Sequence, residues 1–550
     1  MRSQTACWTL LACLALALSA CEELNVEDKE QADTGDETSG GGGPGGGPHD
    51  DGDSDHDHDG GGDDGEHPDG DADTDQSKSP HVAIGGLGGV EGVWGEGGVR
   101  QFFGIPYAKE PTAELRWAAP QRPAAWDGDL KATQLPRACP SFGVATPKGD
   151  KHPEDCLYLN VWTPGSTSLK GLPVMVWFHG GDHVSGSAVE HVGDDDHPRF
   201  DGTSLAAHTH VVVVTVNYRL GPLGFLPLGS KAAKPTAKPG SGPLFGNQGL
   251  WDQAFALQWV HNNIDAFGGD PDNVTILGQG SAAVDVCLHV ASPHSGGKDL
   301  FQSAISQSGG CTRVQRTSEQ LFEGLGAWLD KLDCKATARD DLAACLRSKA
   351  VSELFAAIPD LKSARKWFGP GVDGQFVPDQ PSTLFAEQHV ASVPYILGSN
   401  GDEASAFSDV EDVDTEDAYH QALAKLFPAA TDVQRCEAYP HDAYLNAKKP
   451  YRTALAHVLA DGATTCAALH TAGLARAAGS SVYAYYFTGP DKDSASGAAH
   501  AAEISYVFGT KDVPEKGAAL RDAVQGYWTS FASDGDPGAH GGVDWPQLSL

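Results

Sequence analysis

Two apolar runs, at residues 174–178 and 211–216, are the strongest structural signals in the chain. Neither run alternates polar with apolar residues, so each predicts a strand that is buried on both faces. Residues 249–263 place apolar side chains near the helical period, and a further short apolar run follows at 274–277. Strand, helix and strand in this order predict an α/β fold, in which helices cover a mainly parallel sheet.

A third apolar stretch opens the chain, and it predicts export. Residues 6–20 are almost continuously apolar, and Arg2 is the only charged side chain before residue 21. The stretch is shorter than the roughly 20 residues that a helix needs to cross a bilayer, so we predict that residues 1–20 are a signal peptide. Its ending, Leu-Ser-Ala-Cys at 18–21, resembles the lipobox of bacterial lipoproteins.

The lipobox implies that Cys21 is the lipidated first residue of the mature chain. The expected location is then the bacterial cell envelope, where a lipid anchor would hold the protein to a membrane, at the surface or at the outer membrane. An ordinary cleaved signal, in which Cys21 is incidental, is the alternative.

Residues 21–80 have the composition of a disordered tether. From residue 22 to residue 80 there are 21 Asp and Glu against two Lys, with runs of Gly and very few apolar side chains. Such a segment cannot bury enough apolar surface to offset the entropy that it would lose on ordering. Neither an internal repeat nor a second linker follows, so we predict one folded domain over residues 81–550.

Five acids of the tether fit the spacing of a calcium-binding loop. At positions 1, 3, 5, 9 and 12 of this loop stand Asp55, Asp57, Asp59, Asp63 and Glu66. The pattern arises easily by chance in a segment this rich in Asp and Gly, and no amphipathic helix flanks it. A solvated spacer is the favoured interpretation, and no cofactor is expected anywhere in the chain.

Net charge argues against one class of function. The chain has 74 Asp and Glu against 38 Lys and Arg, which gives a formal net charge of -36. This excess of carboxylates would repel a phosphate backbone, so a nucleic-acid partner is not expected.

Eight short motifs follow one another in a fixed order from residue 103 to residue 374. They are Phe-Gly-Ile-Pro-Tyr-Ala at 103–108, Leu-Arg-Trp at 115–117, Glu-Asp-Cys-Leu-Tyr-Leu-Asn-Val at 154–161, Asn-Tyr-Arg-Leu-Gly at 217–221, Gly-Asn-Gln-Gly-Leu at 246–250, Phe-Gly-Gly-Asp-Pro at 267–271, Ala-Ile-Ser-Gln-Ser-Gly at 304–309 and Val-Asp-Gly at 372–374. In content and order they resemble the type-B carboxylesterase and cholinesterase family. The resemblance covers nearly all of residues 81–550 and implies an α/β-hydrolase fold.

The same resemblance implies two disulfides. The implied pairs are Cys139 with Cys156 and Cys334 with Cys345. Disulfides suit an exported chain. Cys436 and Cys466 are candidates for a third bridge, whereas Cys287 and Cys311 are expected to stay unpaired as small buried apolar side chains.

The acid and the base of a catalytic triad have recognisable positions. Residues 400–403 resemble the acid loop of the family, which makes Glu403 the expected orienting carboxylate. Residues 497–504 resemble its histidine block, which makes His500 the expected base. In these hydrolases the base activates a Ser on a sharp turn between strand and helix, with Gly at positions -2 and +2.

The serine of this triad is missing. The strand at 274–277 leads into Gly-Gln-Gly-Ser-Ala at 278–282, and counting from either side puts Gly280 at the serine position. Ser281 holds the next position, whose backbone N–H serves the oxyanion hole and whose side chain is expected to point away from substrate. Centring the turn on Ser281 would lose both flanking glycines, so a shifted nucleophile would need a local bulge.

The oxyanion loop also departs from the family. It reads His-Gly-Gly-Asp-His at 179–183, so Asp182 and His183 stand where relatives have a third Gly and an aromatic residue. Backbone N–H groups of Gly181, Asp182 and Ser281 are expected to form the oxyanion hole. A carboxylate about 4 Å from an oxyanion would repel it by about 4 kcal/mol at an effective dielectric near 20. Protonation of Asp182, or its pairing with His183 or His500, would soften this repulsion.

Three functions follow from these observations. The favoured one is a non-hydrolytic family member that binds a small-molecule ligand in its cleft or a protein partner on its surface, as in neuroligin-like relatives that lost catalysis. The alternative is a carboxylic-ester hydrolase that uses Ser281, His500 and Glu403. The third is different chemistry at the same place, with His500 and Glu403 activating water, or with Asp182, His183 and His500 binding a metal.

Overall fold

The computed structural model describes residues 76–143, 152–190, 198–228, 246–296, 299–312, 314–335, 339–404, 413–428, 430–431, 434–435, 438–489, 498–510 and 513–549. The signal peptide, Cys21, most of the tether and the candidate calcium loop at 55–66 lie outside these residues. What the sequence indicates about them stays a prediction.

Fourteen strands of the described chain form three sheets. They are β1 His81–Ile84, β2 Gly88–Glu91, β3 Val93–Trp94, β4 Arg100–Pro106, β5 Asp129–Lys131, β6 Tyr158–Thr163, β7 Leu172–Phe178, β8 Val212–Val216, β9 Gly269–Gln279, β10 Ser303–Gln307, β11 Tyr395–Asn400, β12 Val482–Phe487, β13 Ala539–His540 and β14 Val543–Asp544. The largest sheet has nine strands in the order β12-β11-β10-β9-β7-β8-β6-β4-β3, and the others are β1-β2-β5 and β13-β14.

The large sheet is mainly parallel. Six neighbouring strands, in the spatial order β12-β11-β10-β9-β7-β8, run parallel to one another. At one edge the sheet continues with β6, β4 and β3, each of which is antiparallel to its neighbour. The register places Val176 of β7 beside Val214 of β8 and Ile276 of β9. The three apolar runs of the sequence fall in β7, β8 and β9, so the predicted fold class is confirmed.

Helices occupy the connections between the strands. The described ones are α1 Thr203–Thr209, α2 Gly221–Gly224, α3 Gln248–Asn263, α4 Ser281–Ala291, α5 Ser318–Glu323, α6 Gly326–Lys331, α7 Arg339–Arg347, α8 Val351–Ala356, α9 Leu361–Trp367, α10 Pro381–Ala386, α11 Glu416–Leu426, α12 Pro450–Ala463, α13 Thr465–Ala477, α14 Glu503–Phe508 and α15 Ala518–Asp534. The predicted helix at 249–263 is α3. Among the described residues, no helix is long and apolar enough to cross a membrane.

Side chains of the central strands alternate between two apolar cores. On β7, Val174, Val176 and Phe178 pack in one core, and Met175 and Trp177 pack in the other. All five side chains are buried. Because successive residues of a strand point to opposite faces, a strand between two helix layers must be apolar at every position. This explains the unbroken apolar runs in the sequence.

A third apolar cluster lies between α11 and α12. Its buried members are Val413, Tyr419, Leu423, Phe427, Ala430, Ala454, Leu455 and Val458. We call it the α11–α12 cluster. It is separate from the two cores on the sheet.

Three disulfides are present among the described residues. The pairs are Cys139 with Cys156, Cys287 with Cys311, and Cys334 with Cys345. The expectation that Cys287 and Cys311 are unpaired is wrong. Cys287 lies on α4 and Cys311 follows β10, and the parallel pairing of β9 with β10 brings the two segments together. Cys436 lies outside the described residues, so its pairing with Cys466 stays a prediction.

The parallel strands bring the chemically important loops to one edge of the sheet. The loop at 179–183 follows β7, Gly280 follows β9, and Glu403 lies three residues beyond β11. The carboxyl ends of adjacent parallel strands share an edge, where α/β proteins bind their ligands. Residues far apart in the chain therefore meet in one cleft.

Removing the Cys287–Cys311 bridge should destabilise the domain. The bridge closes a loop with a sequence separation of 24, and loops of this size contribute about 3 kcal/mol by restricting the unfolded chain. We expect Cys287→Ala combined with Cys311→Ala to lower the thermal unfolding midpoint. Peptide mapping without reduction should recover the linked peptide from the parent protein, and two separately alkylated cysteines would contradict the assignment.

Candidate active site

Gly280 forms a sharp corner between β9 and α4. β9 ends at Gln279 and α4 begins at Ser281, so one residue makes the whole turn. Its backbone has φ 63° and ψ -120°, a conformation that L side chains rarely adopt and that costs them about 1–3 kcal/mol. Glycine holds this corner without that strain, because it has no Cβ.

The open side of Gly280 faces His500. A Cβ atom placed on Gly280 would lie 3.2 Å from Nε2 of His500. A hydroxyl group one bond further out would be within hydrogen-bond reach of the imidazole. The corner is also closely packed, because a Cβ on Gly278 would lie 2.8 Å from the Cβ of Ala282. A side chain at position 280 would therefore point towards the imidazole of His500.

Ser281 does not take over this position. Its Oγ is inaccessible to solvent and makes no hydrogen bond with any described residue. The side chain is therefore not bonded to the imidazole of His500, and its Oγ is buried although Ser281 is among the residues that line the cleft. The structure brings His500 and Glu403 together but leaves Ser281 apart from them.

The imidazole of His500 is bonded to Glu403. Its Nδ1 is hydrogen-bonded to Oε2 of Glu403, whose side chain is 3% exposed. The other carboxylate oxygen accepts the backbone N–H of Asn400 at 2.7 Å. Burial acts to lower the pKa of His500, but the hydrogen bond to Glu403 and the charges of Glu403, Glu503 and Asp182 outweigh burial, so the pKa is raised.

The side-chain amide of Gln279 contacts the second ring nitrogen of His500. Its Nε2 lies 3.2 Å from Nε2 of His500. When Nδ1 of the imidazole donates to Glu403, Nε2 is the acceptor, so the amide of Gln279 donates to the lone pair that a catalytic serine would use. The contact of Gln279 with His500 was not predicted from the sequence.

Asp182 is paired with an arginine that the sequence did not suggest. Its Oδ2 lies 2.7 Å from Nη2 of Arg365 on α9, and both side chains are about half exposed. Of the possibilities left open by the sequence, pairing with His183 or with His500 is not the one that the structure shows. A nearby cation and contact with solvent weaken the repulsion of an oxyanion by Asp182, so the loss of about 4 kcal/mol expected from the sequence is an upper bound.

His183 belongs to a buried polar chain. Its Nε2 lies 2.7 Å from Oδ1 of Asp285, and Oδ2 of Asp285 accepts the amide of Gln253 at 2.8 Å. The carbonyl oxygen of Gln253 is in turn 2.8 Å from Nε2 of His289. Since His183 is bonded to Asp285 and Asp182 to Arg365, Asp182, His183 and His500 do not form a metal site. A signal was present in the sequence, because Asp285 and His289 interrupt the mostly apolar α4.

A cleft of about 1030 Å³ opens over Gly280 and His500. Glycines line its floor, and its charged residues are Asp182, Glu190, Arg199, Arg316 and Arg365. The backbone N–H groups of Gly181 and Asp182 find no acceptor among the described residues. Ser281 begins α4, and its N–H has no acceptor within the helix. Gly181, Asp182 and Ser281, which are predicted to form the oxyanion hole, all line this cleft.

Replacing Glu403 by Gln should lower the pKa of His500. The exchange removes the negative charge of the strongest hydrogen-bond partner, and burial, which lowers the pKa, would then dominate. NMR titration of ¹³C-labelled histidine in the parent and the variant measures this shift. Asp182→Asn is the control and should have a smaller effect in the same direction. An unchanged pKa in Glu403→Gln would show that Glu403 does not hold the imidazole.

Comparison with known proteins identifies the scaffold. A sequence model of the carboxylesterase family matches residues 77–550. Para-nitrobenzyl esterase of Bacillus subtilis (strain 168) is 34% identical over 475 residues, which cover 82% of this chain and 89% of the esterase. The solved structure of a PNB esterase superimposes with a TM-score of 0.69 at 32% identity and covers 86% of this chain and 94% of its own. The fold is thus that of the α/β-hydrolases.

The chain is also similar to a fatty acyl-CoA hydrolase and to a neuroligin. The medium-chain fatty acyl-CoA hydrolase precursor of Anas platyrhynchos is 34% identical over 491 residues, which cover 83% of this chain and 84% of the hydrolase. Neuroligin-2 of Mus musculus is 33% identical over 515 residues, which cover 80% of this chain but only 58% of neuroligin. With a matching family model and relatives of this identity and coverage, the chain belongs to the carboxylesterase family.

Proposed function

We propose that this domain is a non-hydrolytic member of the carboxylesterase family, which binds an ester or carboxylate ligand in its cleft or a protein partner on its surface. One observation carries the proposal. The residue at the strand-to-helix corner that faces the imidazole of His500 is Gly280, and glycine offers no oxygen for attack on a carbonyl.

The environment of Ser281 supports the same conclusion. For Ser281 to act, its buried Oγ would have to leave α4 and reach the imidazole of His500. The backbone of Gly280 would then have to rearrange at a corner where Gly278 is already in close contact with Ala282. A shifted nucleophile therefore requires a different local backbone.

The base also lacks the surroundings of a working triad. Its Nε2 is in contact with the amide of Gln279 instead of a serine hydroxyl. Without selection for hydrolysis, the pair of His500 and Glu403 can persist because the removal of either partner would leave the other buried without its hydrogen bond. Retention of this pair is compatible with a binding function.

The cleft suits an anionic or carbonyl-bearing ligand. The backbone N–H groups of Gly181, Asp182 and Ser281 are placed to bind an oxygen atom that carries negative charge. Arg316 adds positive charge to the cleft, whereas Arg365 is paired with Asp182 and Arg199 with Glu190. An acid or ester group is the chemical class that these donors would bind.

Hydrolysis assays on corner variants test the proposal. We expect the parent protein to hydrolyse p-nitrophenyl acetate no faster than His500→Ala. Gly280→Ser should gain turnover on the order of 100-fold over Gly280→Ala, because only the serine variant supplies a hydroxyl to the base. Both variants should lose about 1–3 kcal/mol of stability through backbone strain. Gly280→Ser combined with Asp182→Gly should be more active than Gly280→Ser alone.

Two outcomes of these assays would speak against a purely binding function. Turnover in the parent that both Ser281→Ala and His500→Ala abolish would establish a working hydrolase and overturn the proposal. Turnover that depends on His500 and is unaffected by Ser281→Ala would favour water activation by His500 and Glu403. Gly280→Ala separates the effect of the hydroxyl from the effect of added bulk.

The proposal extends to an exported, lipid-tethered protein. Three disulfides in the described domain favour an oxidising compartment, and the Leu-Ser-Ala-Cys ending supports lipidation at Cys21. The acidic tether would then hold the domain away from the membrane surface.

Fractionation of cells tests the lipid anchor. Cys21→Ala should move the protein from the membrane fraction to the soluble exported fraction and remove incorporation of labelled palmitate. Cys7→Ala, a change inside the predicted signal peptide, is the matched control and should leave both unchanged. Membrane retention of Cys21→Ala would show that Cys21 is not the anchor.

A further inference from the structure

We propose that Glu416, His420 and His441 form a transition-metal site, with Zn²⁺ as the expected ion. The site lies on the α11–α12 cluster and is separate from Gly280 and His500. It joins α11 to the 3-10 turn His441–Tyr444, which precedes α12.

Three ligand atoms already converge at this place. Glu416 and His420 are one turn apart on α11, and side chains at this spacing lie on the same face of a helix. One ligand atom each from Glu416, His420 and His441 lies within 4.8 Å of the other two. Tetrahedral Zn²⁺ with bonds of about 2.0–2.1 Å holds neighbouring ligand atoms about 3.4 Å apart. Side-chain movements on the order of 1 Å would therefore complete the site.

Neighbouring rings restrict the position of His441. Its side chain is only 16% exposed, and its ring centroid lies 5.2 Å from that of Tyr451 and 6.0 Å from that of Tyr419. The Glu416 carboxylate is 54% exposed and lies 3.8 Å from Nε2 of His441, so it can rotate towards an ion. Because neighbouring rings already restrict the imidazole of His441 and the carboxylate of Glu416 can rotate, metal binding costs less side-chain conformational entropy.

The donor set selects the class of ion. Two imidazoles and a carboxylate suit Zn²⁺ and its neighbours in the transition series, whereas Ca²⁺ and Mg²⁺ prefer oxygen ligands alone. Asp442 adds a second carboxylate, with Oδ1 at 3.3 Å from Nε2 of His441. It is a candidate fourth ligand, and its negative charge would favour a cation at this place even without direct coordination.

The site has a consequence for the cleft. Tyr419 and Leu423 of α11 pack with Leu455 and Val458 of α12 in the α11–α12 cluster. Leu459 and Ala463, which are also on α12, line the cleft at Gly280 and His500. An ion that ties α11 to the turn before α12 would stiffen one wall of the cleft.

Thermal unfolding of the full chain with ZnCl₂, after dialysis against a chelator, tests the site. We expect a saturable rise in the unfolding midpoint of at least about 2 °C at zinc concentrations well above the dissociation constant. CaCl₂ at the same concentration should give no rise. The zinc response should be lost in His420→Ala and in Glu416→Gln, and the affinity for Zn²⁺ in calorimetry should fall at least tenfold, as expected when a zinc ligand is removed.

Two controls separate this site from other sources of zinc binding. His389→Ala removes an exposed imidazole beside Glu387, outside the cluster, and should keep the full response. A variant with His56, His58 and His67 replaced by Ala removes the histidines near the acids of the tether and should also keep it.

The proposal would be overturned by a zinc response that survives in both His420→Ala and Glu416→Gln, or by one that disappears in the tether variant. Absence of any response in the parent would overturn it as well. Glu416 is exposed, so Glu416→Gln should fold even if a change at His420 disturbs α11.

Discussion

The backbone at residue 280 is the constraint on which the active-site architecture depends. β9 ends and α4 begins within one residue, and the φ of that residue is positive. In an active hydrolase a serine would have to bear that strain, whereas Gly280 relieves it. If position 280 is the nucleophile position, as we propose, glycine there avoids the strain but supplies no nucleophile.

The polar groups around this corner are held together even without a nucleophile. Glu403 is fixed by the backbone of Asn400 and by His500, and His183 is fixed by Asp285. Each pair includes a buried carboxylate, which would be costly to leave without its partner. The cleft thus contains the imidazoles of His183 and His500 together with three arginines, a lining that fits the proposed binding of a polar ligand.

Much of the scaffold could be predicted because its signals are local. The apolar runs of β7, β8 and β9 reflect burial on both faces, and the motif order fixed the positions of Gly280, Glu403 and His500 in one site. The Cys287–Cys311 bridge could not be predicted, because it depends on the spatial order of β9 and β10 rather than on a sequence pattern.

Contacts between elements that lie far apart in the chain could not be predicted either. Arg365 reaches Asp182 from α9, and no spacing in the chain connects these two residues. The metal-ligand cluster at Glu416, His420 and His441 was missed for a related reason. Its first two members are four residues apart on α11, but the third comes from a separate turn that only the packing of α11 against α12 brings near.

Labelling of the unmodified protein with a fluorophosphonate probe, followed by peptide mass spectrometry, tests the central claim most directly. A probe of this class forms a covalent bond with a serine that a neighbouring base activates. The absence of an adduct in the peptide that contains residues 278–282 is the result that a glycine corner predicts. A phosphonylated Ser281, lost when His500 is replaced by Ala, would contradict it.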